Sequence, residues 1–406
     1  MAKKHHIPQT AGELTPSWFS STLGTLGSTY GRSITAVETE VIGEGIGFIG
    51  ELHRCTLTWD DDPDPGSNRT PVPPSVVVKL PAPSGTNRSS GEALLAYDRE
   101  IFIYKHMRDQ MGIPMPKYYW SDQDKLTTLW AFKPLMFLID HLPIRAVNWL
   151  VLRFVKLSGK NQRRYLLMME DIADARPPSQ VEGGTLDDAF AALEVLAKFH
   201  AHHWSHQAND RDAGGSLSTL LDESPLIFPV DQGPKTWQAG YLRNREDFVE
   251  RFGDALGAEK LAKLDEVQEG LVDLIKSLGA EPRTLIHADY RLDNILYRPN
   301  GELVVLDFQL VAKGRAGWDV GYFITTALTP DLKSEEDALL RRYHDSLVAA
   351  GVTNYSWEVL TADIATTKLV LAHRMVGARD LLDSDMEGSD ESFADILVER
   401  IVGWID

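Results

Sequence analysis

A chain of 406 residues with 43% hydrophobic and 25% charged content can bury a sizeable core, arranged as two lobes or two domains. Its formal charge of −18, from 41 basic and 59 acidic residues, argues against a nucleic acid or an anionic membrane as partner, because phosphate rewards the opposite sign. The single cysteine, Cys55, excludes an internal disulfide and a multi-thiolate metal site, and the opening "MAKKHHIPQT" lacks the apolar run of a signal peptide, so a cytoplasmic location is expected.

In chain order, "ITAVETEVIGEGIGFIGELHRCTLTW" alternates in the manner of two strands around a glycine-rich turn containing Gly43, Gly45 and Gly47. "DDDPDPGSNRTPVPP" (60–74) reads as a long connection, and "SVVVKL" after it as a buried strand closing on Lys79. "GEALLAYDREIFIYKHMRDQM" has apolar residues at helical spacing and is stopped by "GIPMP". "RYLLMMEDI" (164–172) is another buried strand running into acids. Beyond it the pattern turns helical: 186–204, 245–279 and most of 333–405. The expected division is a mostly β first lobe, residues 1–170, and a mostly α second lobe, residues 171–406.

The later strand signals lie in "LIHADYRLDNILYRPNGELVVLDF" (285–308), where polar groups crowd between Leu, Ile and Val. "ELVVLDF" reads as a strand hairpinned back through the "RPNG" turn, with Asp307 at its rim. An Asp, an Asn five residues later and a second Asp at a strand end suit phosphoryl transfer. Asp289 would accept a hydroxyl proton, while Asn294 and Asp307 would offer hard oxygen ligands to Mg²⁺. The run H-x-D-x-x-x-x-N followed by hydrophobic-D-F resembles the kinase catalytic loop and metal-binding signature, with Ala288 where protein kinases carry Arg and Gln309 where they carry Gly. A buried strand ending in a carboxylate without use would carry a needless desolvation cost.

A kinase also needs a cation on the ATP phosphates, an acid to hold that cation, and a backbone cover. Lys79 is the expected cation and Glu100 its partner, with Asp98 and Glu92 competing for that place; Gly43, Gly45 and Gly47 are the expected cover. Asp293 reads as a turn residue. Arg291 could reach a phosphate or a substrate carboxylate, or form a salt bridge to Asp293 or another acid.

These parts, in this order, resemble the aminoglycoside phosphotransferase and choline kinase superfamily, and "LTPSWF", "LAKFHAHHW" and "LDFQLVAKGRAGWDVGYFI" are most similar to its ecdysteroid-kinase-like branch. "HADYRLDN" also resembles the kinase-like domain found beside acyl-CoA dehydrogenases. The resemblance spans nearly the whole chain. It implies an α+β, two-lobed protein-kinase-like fold with a small mostly β N-lobe and a larger mostly α C-lobe. It further implies ATP and Mg²⁺ as cofactors and adenine contacts from the backbone near Met169, Glu170 and Asp171. It gives His287 a supporting role and makes Asp319 an acid that braces the catalytic loop. Ala288, where relatives often have Gly, is a mild departure.

The apolar stretch 130–160 is longer than a strand connection requires. A spanning helix needs about 20 mostly apolar residues, and Asp140, His141, Pro143 and Arg145 interrupt this one, so membrane contact through 134–155 is not expected. Packing within the protein or against a second copy, as in a homodimer, is the expectation, although Arg145 and Arg153 with Trp149, Leu150 and Phe154 would suit an amphipathic helix. His202 and His206 have a zinc-like spacing but no third ligand. The expected activity is ATP-dependent phosphorylation of a small-molecule hydroxyl, on a steroid-like or hydroxyacyl compound. An aminoglycoside- or choline-type cationic acceptor is one alternative, and a nucleotide-binding pseudokinase scaffold another. Trp204, Trp237, Tyr241 and Trp318 are candidates to wall the acceptor pocket.

Overall fold

The computed structural model describes residues 6–24, 32–43, 49–60, 72–83, 85–126, 129–158, 160, 163–204, 226–227, 229–377 and 393–405. The expected turn glycines Gly45 and Gly47, and His206, lie outside them. The chain divides into two units. The first comprises Met1–Arg108, Met115–Leu126 and Val155–Asp174, the second Asp109–Pro114, Thr127–Phe154 and Ala175–Asp406. The sequence reading cut the chain once, at 170, whereas two inner segments of that first stretch pack with the second unit.

In the first unit β1 (Ile34–Ile42), β2 (Gly50–Trp59), β3 (Ser75–Pro81), β4 (Tyr118–Gln123) and β5 (Tyr165–Glu170) form one antiparallel sheet in the order β1-β2-β3-β5-β4. β3 and β5 are buried on both faces, which is why "SVVVKL" and "YLLMM" run apolar instead of alternating. Val76, Val78, Leu80, Leu166 and Met168 share one face and pack with Trp18, Phe19 and Leu23 of α1 (Pro16–Gly24). Two-residue periodicity therefore puts Val77 and Lys79 on the opposite face. Cys55 is in the α1-side core, where burial pushes its thiol up to about 11 and keeps it unreactive.

The single helix expected over 91–111 is broken. α2 (Gly85–Ala93) ends at a turn in which Leu95 takes a left-handed φ of 56°, and α3 (Ala96–Phe102) starts in a new direction before widening through Ile103–Met107. Helical spacing in the sequence does not report such a break, because the apolar period resumes after it.

The second unit is mostly helical, and α4 (Leu129–His141) and α5 (Ile144–Ser158) carry the apolar stretch. α6 (Leu186–His202) starts where the Thr185 hydroxyl accepts the Asp188 N–H (3.1 Å), with Asp187 and Asp188 favourably placed in its first turn. It buries Ala189, Leu193, Leu196 and His200 along one stripe. α7 (Pro234–Leu278) bends at Gly257, whose φ of 75° no helix accommodates. The helix expected over 245–279 thus begins earlier, at Pro234. β6 (Thr284–Ile286) pairs with β9 (Ala312–Gly314), a strand absent from the sequence reading, and β7 (Ile295–Tyr297) with β8 (Leu303–Val305) makes the expected hairpin. α8 (Gly317–Ala327), α9 (Glu336–Ala349), α10 (Trp357–Gly377) and α11 (Phe393–Gly403) complete the unit. Residues of α7, α8, α10 and α11 share one core. The α+β class is as expected.

Candidate active site

In the second unit β6 leads directly into the segment His287–Asn294. Its first turn depends on Asp319, at the start of α8 and fully buried. One Asp319 oxygen accepts the His287 N–H (2.6 Å) and the other the Ala288 N–H (2.8 Å). His200 Nε2 stands 3.1 Å from the first of these oxygens, and its Nδ1 meets the Tyr343 hydroxyl at 2.7 Å. A buried carboxylate is tolerable because all these donors converge on it. Ala288 is held at a φ of 63°, a left-handed conformation that glycine adopts more readily.

The turn presents Asp289 at the partly exposed end. Its Oδ1 accepts the Tyr322 hydroxyl proton at 2.6 Å and its Oδ2 the Asn294 amide at 3.2 Å, while the same amide nitrogen also donates to the Asp289 carbonyl (2.8 Å). Burial first, and the Asp289 charge second, push the Tyr322 phenol well up, so it remains a donor. Arg291 Nε lies 3.5 Å from Asp289, and its Nη1 donates to Asp293 at 2.8 Å. Of the two readings left open for Arg291, the geometry has the salt bridge.

Asp307 follows β8 with a φ of 58°. The residue before it ties the site together: the Leu306 N–H donates to the Asn294 carbonyl (2.8 Å), and the Leu306 carbonyl lies 2.8 Å from His287 Nε2. His287 is fully buried against Phe308, with ring centroids 4.7 Å apart, so it is a strut between the turn and the Asp307 segment. The Asn294 amide nitrogen is spent on Asp289, which leaves its side-chain carbonyl as the group able to meet a cation. Among the described residues no cluster of three His, Cys, Asp or Glu side chains could hold a metal alone. One amide oxygen and one carboxylate fit Mg²⁺, which keeps several waters and takes its remaining ligands from phosphate.

In the first unit Lys79 Nζ donates to Glu100 Oε1 at 2.9 Å, and both residues are buried. The competing acids are engaged elsewhere. Arg163 binds Glu92 (2.9 Å) and, in a two-pronged contact, Asp98 (3.0 and 2.8 Å), and the Tyr165 hydroxyl donates to Glu92 at 2.7 Å. Gly50 lies beside Lys79; a Cβ there would come within 3.0 Å of the Leu80 carbonyl and 3.2 Å of Lys79 Cε. Gly43 ends β1 at a φ of 68°. Around the expected adenine contacts, the Glu170 N–H is already committed to the Lys117 carbonyl (2.9 Å), which removes one of the three donors. Asp171 accepts Arg54 (2.9 Å) and Ser75 (2.7 Å), anchoring the chain beyond β5, where Met169 pairs with Val77 and Tyr118.

A sequence model of the ecdysteroid kinase-like family matches residues 44–352, three quarters of the chain and every residue of the second-unit site described above. The chain belongs to the ecdysteroid kinase-like family. No curated protein matches it. Similar solved structures include a microcompartment-associated aminopropanol kinase (15% identity over 90% of each chain, TM-score 0.44). Two others are a choline kinase from Cryptosporidium parvum Iowa II (10% identity, 91% of this chain and 88% of that one, TM-score 0.47) and a Plasmodium vivax ethanolamine kinase (11%, 90% and 81%, 0.46).

Within this family member, three residues of the site escaped the sequence reading: Tyr322, His200 and Gly50. His200 had a signal, since it is the one polar residue on the buried stripe of α6. His202, the residue with the zinc-like spacing, meets the Gln110 carbonyl at 3.0 Å. Of the expected pocket walls, Trp204, Tyr241 and Trp318 are buried core, and Trp237 alone of the four is half-exposed.

Proposed function

We propose that this chain is a phosphotransferase that moves the γ-phosphoryl group of ATP onto the hydroxyl of a small molecule. The observation that carries the reading is the Asp289 carboxylate, fixed by Tyr322 and Asn294 on a turn clamped by Asp319, with the Asn294 carbonyl tied to the N–H of Leu306, the residue before Asp307. Asp289 orients the acceptor hydroxyl and takes its proton late, when the oxygen has become acidic. Lys79, held by Glu100, carries charge for the α- and β-phosphates. Mg²⁺ held by Asn294 and Asp307 would neutralise charge on the phosphate oxygens. Catalysis is thus mostly positioning and electrostatics.

The acceptor is proposed to be neutral or anionic and partly apolar, of the steroid-like or hydroxyacyl kind, and not a choline- or aminoglycoside-type cation. Supporting this, the Arg374 guanidinium lies over Tyr322 (5.9 Å) and over the half-exposed Trp237 (5.4 Å). Among the described residues it has no carboxylate partner. A cationic acceptor brought to Asp289 would meet this like charge beside the Tyr322 ring.

The test is a mass-spectrometric screen for ATP-dependent gain of one phosphate across sterols, hydroxyacyl compounds, choline and an aminoglycoside. The Asp289→Asn variant should lose about 10²–10⁴ in kcat at an unchanged melting temperature. Turnover untouched by that substitution would sink the mechanism. Nucleotide binding with no acceptor turned over would favour a pseudokinase scaffold.

A further inference from the structure

We propose that α5 is a docking face for an anionic lipid surface, on which the protein lies without crossing. One side of α5 is anchored: Val147 is buried with Ile139 and Ala239, Ile144 and Val151 pack beside them, and the Asn148 side chain accepts Arg243 at 2.7 Å. Among the described residues nothing covers the opposite side. Trp149 is 61% exposed, Leu152 46% and Leu157 52%, and at the adjoining end of α4 Phe137 is 70% exposed. A scattered exposed Leu needs no explanation, but aromatic and aliphatic residues on one side of one helix do.

Interleaved with them on that side are Arg145, Arg153 and Lys156, followed by Lys160, all exposed. The Arg153 guanidinium rests over the Trp149 ring at 5.5 Å. In a chain of charge −18, no acid occurs between Asp140 and Glu170. The two other cations of that stretch are taken, Arg163 by Glu92 and Asp98 and Arg164 by Asp124. Arg145, Arg153, Lys156 and Lys160 have no carboxylate partner among the described residues. Cations in line with Trp and Leu match a surface that offers negative headgroups above an apolar layer.

A second copy of this chain fits less well. A two-fold contact would press the same four cations against one another. A nucleic acid would satisfy the cations and leave the leucines and Phe137 in water. Among the described residues no helix is long and apolar enough to cross a membrane.

The experiment is co-sedimentation of the full chain with phosphatidylcholine vesicles, with and without phosphatidylserine, at low and high salt. Binding should require phosphatidylserine, weaken with salt, and fall by about a hundredfold or more in R153E/K156E, which reverses two charges at the surface. Trp149→Ser should weaken it by about tenfold without removing the salt dependence. Absence of binding to phosphatidylserine vesicles, or binding equal in wild type and R153E/K156E, overturns the proposal. So does a dimer in light scattering that Trp149→Ser dissolves, which would assign the face to a second copy. All the substituted residues are exposed, so melting temperatures should match the wild type and separate lost docking from lost fold.

Discussion

Residues 284–310 bury a histidine, an arginine and an asparagine among apolar strands, whereas residues 129–160 hold tryptophan, phenylalanine and leucine out in water. In the first stretch the buried polar groups find partners inside the protein: His287 at Leu306, Asn294 at Asp289, Arg291 at Asp293. The desolvation cost is offset internally, and what results is rigidity at Asp289. In the second stretch Phe137, Trp149, Leu152 and Leu157 are exposed, and no described residue covers them. The same breach of the usual sorting therefore means a preorganised reaction centre in one place and an unfilled contact in the other.

The largest expected effect tests that asymmetry through stability. Asp319→Ala strands two buried N–H groups and His200, and should cost about 3–5 kcal/mol in urea unfolding. Trp149→Ser in the other stretch should cost less than about 0.5 kcal/mol. Equal losses would break the contrast. A smaller effect is expected for Tyr322→Phe, which removes only the hydroxyl on Asp289. Stability should fall by about 1 kcal/mol and kcat by about tenfold, with KM for ATP unmoved. A change confined to KM would mean that Tyr322 does not position Asp289.

The smallest effect concerns pH. Burial, opposed by Arg291 and reinforced by Asp289, lifts the Asp293 carboxyl to about 6. In the unfolded chain the same group ionises near 3.8. The folded state thus holds the extra proton between these values, and stability attributable to Asp293 declines as pH rises through that window. Unfolding curves of wild type and Asp293→Asn should diverge from about pH 4 to about pH 6 and run parallel above it. A flat difference across that range would show that the Arg291 bridge outweighs burial.

Much of the second-unit site was readable because it is local. His287 through Asp307 is one short segment, and polar residues in an apolar run are conspicuous wherever the chain goes. Lys79 was readable for the same reason, as a lone cation closing a buried strand. The sequence left Glu100 in competition with Asp98 and Glu92, and all three prove to be buried. The choice was made by Arg163, brought beside them by the strand order of the sheet, which takes two of the acids and leaves Glu100 to Lys79. The break at Leu95 was unreadable because a left-handed residue between two helical runs leaves their period intact.

By itself the sequence determined the β-then-α order, the β7/β8 hairpin and the identity of the segment carrying Asp289, Asn294 and Asp307, since each depends on neighbours along the chain. Only the tertiary structure decided that His200, Asp319 and Tyr322 would hold that segment, that Glu100 would hold Lys79, and that one side of α5 would be uncovered. These are pairings between residues far apart in sequence, or the lack of one. Packing fixes such pairings jointly, and no local pattern of polarity encodes them.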